Sequence, residues 1–173
     1  VETFAGKIEE LIAEGYDLAI RTGHFTGNRL LRTHVGSRRM FTCASPEYLA
    51  KMGNPRAIGD LADHRCLQAT STTWHFTLDG REHVMRPKPG WRCNSGVAVA
   101  AAAVAGMGIC QLPEFYVADH IRSGRLVIVL EELLPEPEPI WAVYPQRRHM
   151  MPKLSRLLEI LQKDMAEALR LPQ

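Results

Sequence analysis

The sequence predicts an α/β fold, and three observations lead to it. Apolar runs of strand length alternate with helical stretches along the chain. The breaks between them fall at glycines, prolines and Ser or Asn caps. The run 126–130 is continuously apolar, the pattern of a strand buried on both faces of a parallel sheet. Alternation of this kind argues for helices packed on a mainly parallel sheet.

Each element has its own signal. Ile8, Leu11 and Ile12 keep helical spacing, and Gly15 supplies a left-handed stop. Leu18, Ala19 and Ile20 then form a short strand that ends at Arg21-Thr22-Gly23. Residues 30–44 read as extended. Ser45-Pro46-Glu47 predicts a helix start, with Ser as N-cap, Pro in the first helical position and an acid in the first turn. Gly53 and Pro55 end that helix, and residues 60–64 add one helical turn before a strand at 66–70. Trp74, Phe76 and Leu78 alternate, and Asp79-Gly80 predicts a type I′ hairpin into 81–85, because both central residues need positive φ. Pro87, Pro89 and Gly90 break the chain, which resumes as a strand at 91–93.

Asn94 or Ser95 caps the next helix, which runs to Ala105 and is closed by Gly106 and Gly108. Apolar residues on every side predict that this helix is buried all round. A strand at 109–112, a helix at 114–123 stopped by Gly124, and the strand 126–130 follow. Residues 131–139, with three prolines and four glutamates, read as a stiff exposed connection to a strand at 140–144. Pro152 opens the last helix, whose stripe Leu154, Leu157, Leu158, Leu161, Met165 and Leu169 keeps the 3.6-residue period.

At 173 residues, 46% hydrophobic and 23% charged, the chain suits a globular domain with a core of its own. A net charge of +2 excludes a strongly basic nucleic-acid-binding domain. The longest apolar run, 97–105, falls well short of the ~20 residues of a membrane-spanning helix. Residues 36–112 carry nine Lys and Arg against five Asp and Glu, a weak attraction for an anionic ligand. Cys43, Cys66, Cys93 and Cys110 are scattered without zinc-knuckle or redox spacing and read as free thiols in a reducing, cytoplasmic setting.

Catalytic signals are sparse. Seven histidines include no metal-binding pair of the HExxH kind, and no nucleophile elbow, phosphate loop or dinucleotide fingerprint is present. His64 and Cys66 lie two apart, an arrangement that reads as a histidine beside a core thiol rather than a metal site. Cys93, ahead of a helix N-terminus, is the best nucleophile candidate, although a buried cysteine ending a strand carries more weight. No cofactor is expected.

What remains is a set of donors. Arg21 and Thr22 end a strand, where open α/β sheets place ligand groups. Ser45 and Asn94-Ser95 stand at predicted helix N-termini, where free N–H groups favour an anion. Such groups hold a small carboxylate without transforming it. The plainer alternative, helix caps and a surface salt-bridge partner, has equal standing on these residues alone.

The stretches EGYDLAIR (14–21), ASPEYLAKMG (44–53), DLADHRCL (60–67), WHFTLDG (74–80), NSGVAVAAAAVAGMGICQLP (94–113), SGRLVIVL (123–130) and AVYPQRRHMMPKLSRLLEIL (142–161) stand in this order. Order and spacing resemble the effector-binding domain of LysR-type transcriptional regulators. The resemblance implies a two-lobed fold like a type II periplasmic binding protein, with a ligand in the cleft between lobes. Residues 1–35 and 140–173 would form one lobe and 37–129 the other, with crossings near 36–39 and 130–139.

Carried over by position, the ligand residues are Thr3, Arg21, Thr22, Thr70, Ser71, Asn94 and Ser95. The resemblance further implies a small-molecule effector, a homodimer of this domain, a tetramer of the full-length protein, and no catalysis. Family members begin with a winged helix-turn-helix that these residues lack. The first lobe is therefore expected to be incomplete at its N-terminus, and DNA to be bound only through the preceding part of the full-length protein. Two rivals fit the same residues: a solute-binding protein of a transporter, which four free cysteines speak against, and a small α/β enzyme using Cys93.

Overall fold

The computed structural model describes residues 15–23, 30–146 and 151–168. The predicted first helix, Thr3 and Leu169 lie outside the described residues. The chain divides into two compact units, Val1–Arg38 with Glu138–Gln173, and Arg39–Pro137.

The first unit holds β1 (Ala19–Thr22) and β2 (Leu30–Arg38). The second holds β3 (Met40–Ala44), α1 (Pro46–Met52), β4 (Cys66–Gln68), β5 (Trp74–Leu78), β6 (Arg81–Met85) and β7 (Pro89–Arg92). It continues with α2 (Gly96–Val104), β8 (Ile109–Pro113), α3 (Glu114–Arg122) and β9 (Val127–Ile128). β10 (Glu138–Pro145) and α4 (Pro152–Ala168) return the chain to the first unit.

In that first unit β10 lies between β1 and β2, antiparallel to both. Its register sets Ala19 opposite Val143, Thr22 opposite Ile140, and Arg38 opposite Glu138. Alternation along the strands turns Val35, Ile140, Ala142 and Tyr144 toward Leu154 and Leu158 of α4, and these six form the core. Leu157, assigned to the buried stripe from its spacing, is 42% exposed; the apolar face is narrower than the sequence predicts.

The second unit is built on a five-stranded sheet ordered β7-β4-β8-β3-β9. Only β4–β7 and β4–β8 are parallel among the described pairings, so the expectation of a mainly parallel sheet is overturned. β3 runs against both β8 and β9. The apolar run 126–130 supplies just two ladder residues on an edge, with Val127 36% exposed. It is apolar because Leu126 packs into one core cluster and Val129 and Leu130 into another, not because a strand is covered on both faces.

Local punctuation works as the sequence predicts. The Ser45 hydroxyl accepts from the Tyr48 N–H at 3.2 Å and caps α1, and Gly53 ends it at φ 86°. Asp79 and Gly80 take φ of 52° and 70° in the β5–β6 turn. The Ser95 hydroxyl accepts from the Ala98 N–H at 3.3 Å and caps α2.

Helix α2 is not buried all round. Val99, Ala100, Ala102 and Ala103 are buried, whereas Val97 is 67% exposed and Ala101, one turn on, is exposed with it. Alanine favours helix on either face, so a run of alanines conceals which side meets water. Against the buried side lies α3, whose Tyr116 ring would stand 2.5 Å from a Cβ at position 96, which only glycine avoids.

A buried amide joins the β5–β6 hairpin to the sheet. Gln111 Oε1 accepts from the His75 N–H at 2.9 Å, while Nε2 donates to the His75 carbonyl at 2.9 Å and to Thr42 Oγ1 at 3.0 Å. Three of its bonding positions are thus met, as burial of an amide demands.

Candidate functional site

Parallel strands β4 and β7 end side by side. Gln68 is opposite Arg92 in register, and the Cys93 N–H donates to the Gln68 carbonyl at 3.0 Å. Both strands therefore release their loops at one edge, the carboxyl end where open α/β sheets receive ligands. Four of the predicted residues gather there. Thr70 and Ser71 follow β4, Asn94 and Ser95 follow β7, and all four are exposed.

Their chemistry differs in detail. Ser71 Oγ donates to the Thr73 carbonyl at 2.9 Å and accepts from the Thr73 N–H at 3.2 Å, so its hydroxyl shapes the loop. Ser95 Oγ is engaged as the α2 cap, leaving the amides of the first helical turn as the outward donors. The Arg92 guanidinium donates through Nη2 to the Thr70 carbonyl at 3.3 Å, spanning the two loops. Arg92 is exposed and brings a permanent cation to this edge. Sequence reasoning missed it because a strand at 91–93 put it in mid-element. The strand in fact starts at Pro89 and stops at Arg92, two residues before the Asn-Ser cap.

Arg21 and Thr22 end β1 in the other unit. Arg21 is half-buried and opposite Trp141, over whose ring the Arg32 guanidinium sits at 5.0 Å and which the His34 ring meets edge-on at 5.3 Å. Thr22 is exposed, and its Oγ1 accepts from Arg38 Nη2 at 3.1 Å. Arg38 Nε in turn donates to Glu138 Oε2 at 2.6 Å.

The cysteines behave as packing residues. Burial pushes the Cys66 thiol up to about 11, and it donates to the Leu61 carbonyl. The Cys43 and Cys110 sulfurs lie 3.6 Å apart, and that contact, with burial, holds Cys110 well above the ordinary thiol range. Cys93 is half-buried against the core cluster around α2. His64 Nδ1 lies 3.3 Å from Tyr48 Oη. Among the described residues no group of three or more His, Cys, Asp or Glu is placed to hold a metal ion.

This sheet end gathers hydroxyls, an amide, a guanidinium and a helix start, with no carboxylate among these residues. Sequence comparison is specific: the profile of the LysR substrate binding domain matches residues 1–166, and the chain belongs to that family. YhjC, an HTH-type transcriptional regulator of Escherichia coli K12, is 31% identical over 166 residues, 92% of this chain and 56% of the relative. The chain spans about half the length of the curated relatives it matches. The regulatory domain of CrgA, a LysR-type transcriptional regulator from Neisseria meningitidis, superposes with a TM-score of 0.75 at 29% identity, covering 94% of this chain and 81% of that one. Full-length AphB, a Vibrio cholerae virulence activator of the LTTR family, superposes at 0.76 with 21% identity over 94% of this chain and 56% of its own. These neighbours place the chain in the two-lobed, type II periplasmic-binding-protein-like class.

Proposed function

We propose that this chain is the ligand-sensing and oligomerisation domain of a LysR-type regulator, and that its effector is a small organic anion. The proposed effector residues are Thr70, Asn94 and Arg92, with the amides at the start of α2 and the Ser71 loop completing that set, and Arg21 and Thr22 of the first unit. The observation that carries the reading is the convergence of donors at the joint carboxyl end of β4 and β7, crossed by the Arg92 guanidinium. A carboxylate there gains charge-assisted bonds of ~1.5–3 kcal/mol each. Nothing in the set serves as a general base, so the site holds its guest unchanged.

In the full-length protein such binding would act through the packing of two domains in a homodimer, and of four in a tetramer, re-spacing the winged helix-turn-helix segments on DNA. A ligand shifts that balance only by its differential affinity for the two packings, typically ~1–3 kcal/mol. The reading implies a cytoplasmic protein, in keeping with relatives named as HTH-type regulators rather than transporter components.

Calorimetry on the full-length regulator, titrated with a panel of small carboxylates, tests this. Arg92→Ala and Arg21→Ala are each expected to weaken the carboxylate that binds by roughly tenfold or more, with the melting temperature unchanged. Unaltered affinity in both variants, or no affinity for any carboxylate, overturns the reading.

A further inference from the structure

The polypeptide passes between the units twice, after Arg38 and before Glu138. These two residues face each other in register and are joined by the Nε–Oε2 bond of 2.6 Å. The pair is partly withdrawn from water, with 23% and 30% of the side chains exposed, so it is screened less than a surface pair. The same guanidinium reaches a third segment through Nη2, which donates to Thr22 Oγ1. The tip of β1 is fastened again by the Gly23 N–H, which donates to the Pro139 carbonyl at 2.9 Å. Gly23 has φ of 85°, and a Cβ there would lie 3.0 Å from Glu138 Oε1, the carboxylate oxygen that Arg38 leaves free. Backbone, side chain and sterics thus converge on one knot of three strands.

We infer that Arg38 is a positioning residue for the effector: its forked guanidinium holds the Thr22 hydroxyl to the Glu138 carboxylate, so the tip of β1 moves as one body with both chain crossings. This rests on the reading above, that Thr22 meets the effector. A threonine hydroxyl has one proton to give and two lone pairs to offer. With a guanidinium filling one lone pair, the proton turns away from Arg38. Thr22 is then presented as a donor, suited to a carboxylate oxygen. The planar fork matters as well as the charge, because an ammonium is a point donor and cannot address two fixed acceptors in this geometry.

Hydrogen exchange on the full-length regulator tests the tie without any ligand. Arg38→Gln is expected to speed exchange at the Gly23 amide by roughly tenfold, with Ala142 and Val143 in mid-β10 within about twofold of wild type. Arg38→Lys should fail to restore Gly23. Glu138→Gln, which takes the carboxylate from the same guanidinium without touching the backbone of β1, should give the same local pattern even if Arg38→Gln proves unstable. Unchanged Gly23 exchange in Arg38→Gln, acceleration spread evenly over the whole three-stranded sheet, or full rescue by lysine overturns the proposal. A second arm repeats the measurement on wild type with benzoate and succinate as probes. Added protection at residues 21–23, lost in Arg38→Gln, supports the positioning role. Absence of protection by either carboxylate removes Thr22 from the effector site and with it the positioning role, while the Gly23 result still decides whether the knot exists.

Discussion

Both units pair strands far apart in sequence, but near-neighbour caps and a tight turn are prominent in the second. In the second, turns and caps are closed by near neighbours: Ser45 caps α1 three residues on, Ser95 does the same for α2, and two residues turn the β5–β6 hairpin. In the first, β1 and β2 pair through β10, and the Thr33–Tyr144 hydroxyl pair spans 111 positions. The difference teaches where each unit is vulnerable. One depends on a tightly filled core beneath α2. The other depends on the return of a distant strand and the helix that follows it.

The strongest way to break this contrast is to charge the second unit's core. Ala103, fully buried in α2, should not tolerate aspartate: Ala103→Asp is expected to cost ~3 kcal/mol or more, seen as loss of a cooperative melt. Ala101→Asp, on the exposed side of the same helix, should cost no more than about 1 kcal/mol, most of it alanine's helix preference over aspartate. Equal damage from both would mean that α2 has no solvent face.

Next in size is Leu154→Ala in α4, a residue 2% exposed, which should destabilise by ~2–5 kcal/mol in denaturant melts. Its effect should appear first in amides of β2 and β10, sharpening the separation between units; simultaneous loss of β8 protection would erase it.

The smallest effect concerns a local tie. Asp60 accepts from the Arg56 and Ala57 N–H groups at 2.8 and 2.9 Å, and those bonds hold its carboxyl below the ordinary range. Its contribution is therefore complete above the unfolded carboxylate value of ~3.9 and is lost as pH falls through the lower folded value. Asp60→Asn should remove that contribution at neutrality and with it the acid-side dependence, so that the two proteins converge as pH falls. Melts of both proteins between about pH 6 and about pH 2 check it; parallel curves would deny the tie.

Elements announced by turn and cap chemistry were legible in the sequence. Ser45-Pro46, Asp79-Gly80 and Gly124 each dictate local geometry whatever surrounds them, and each sits where that chemistry puts it. Exposure was less legible. Leu157 keeps the helical period of its stripe yet faces water, and Ala101 differs in no local way from Ala100. Strand direction was illegible too, because β9 reads as a parallel strand by composition but pairs as a two-residue antiparallel edge. In the candidate site, cap residues could be read from their own neighbours. Arg92 could not, since its place at the strand end depends on where β4 lies beside β7.

The insertion of residues 39–137 between β2 and β10 has a consequence for biosynthesis. As the chain leaves the ribosome, the inserted half is complete while β1 and β2 still await the strand that lies between them. Until residues 138–145 emerge, those early strands present open edges, the kind of surface that invites chaperones and aggregation. The order of synthesis thus makes the inserted half the first to mature and the interrupted half the last.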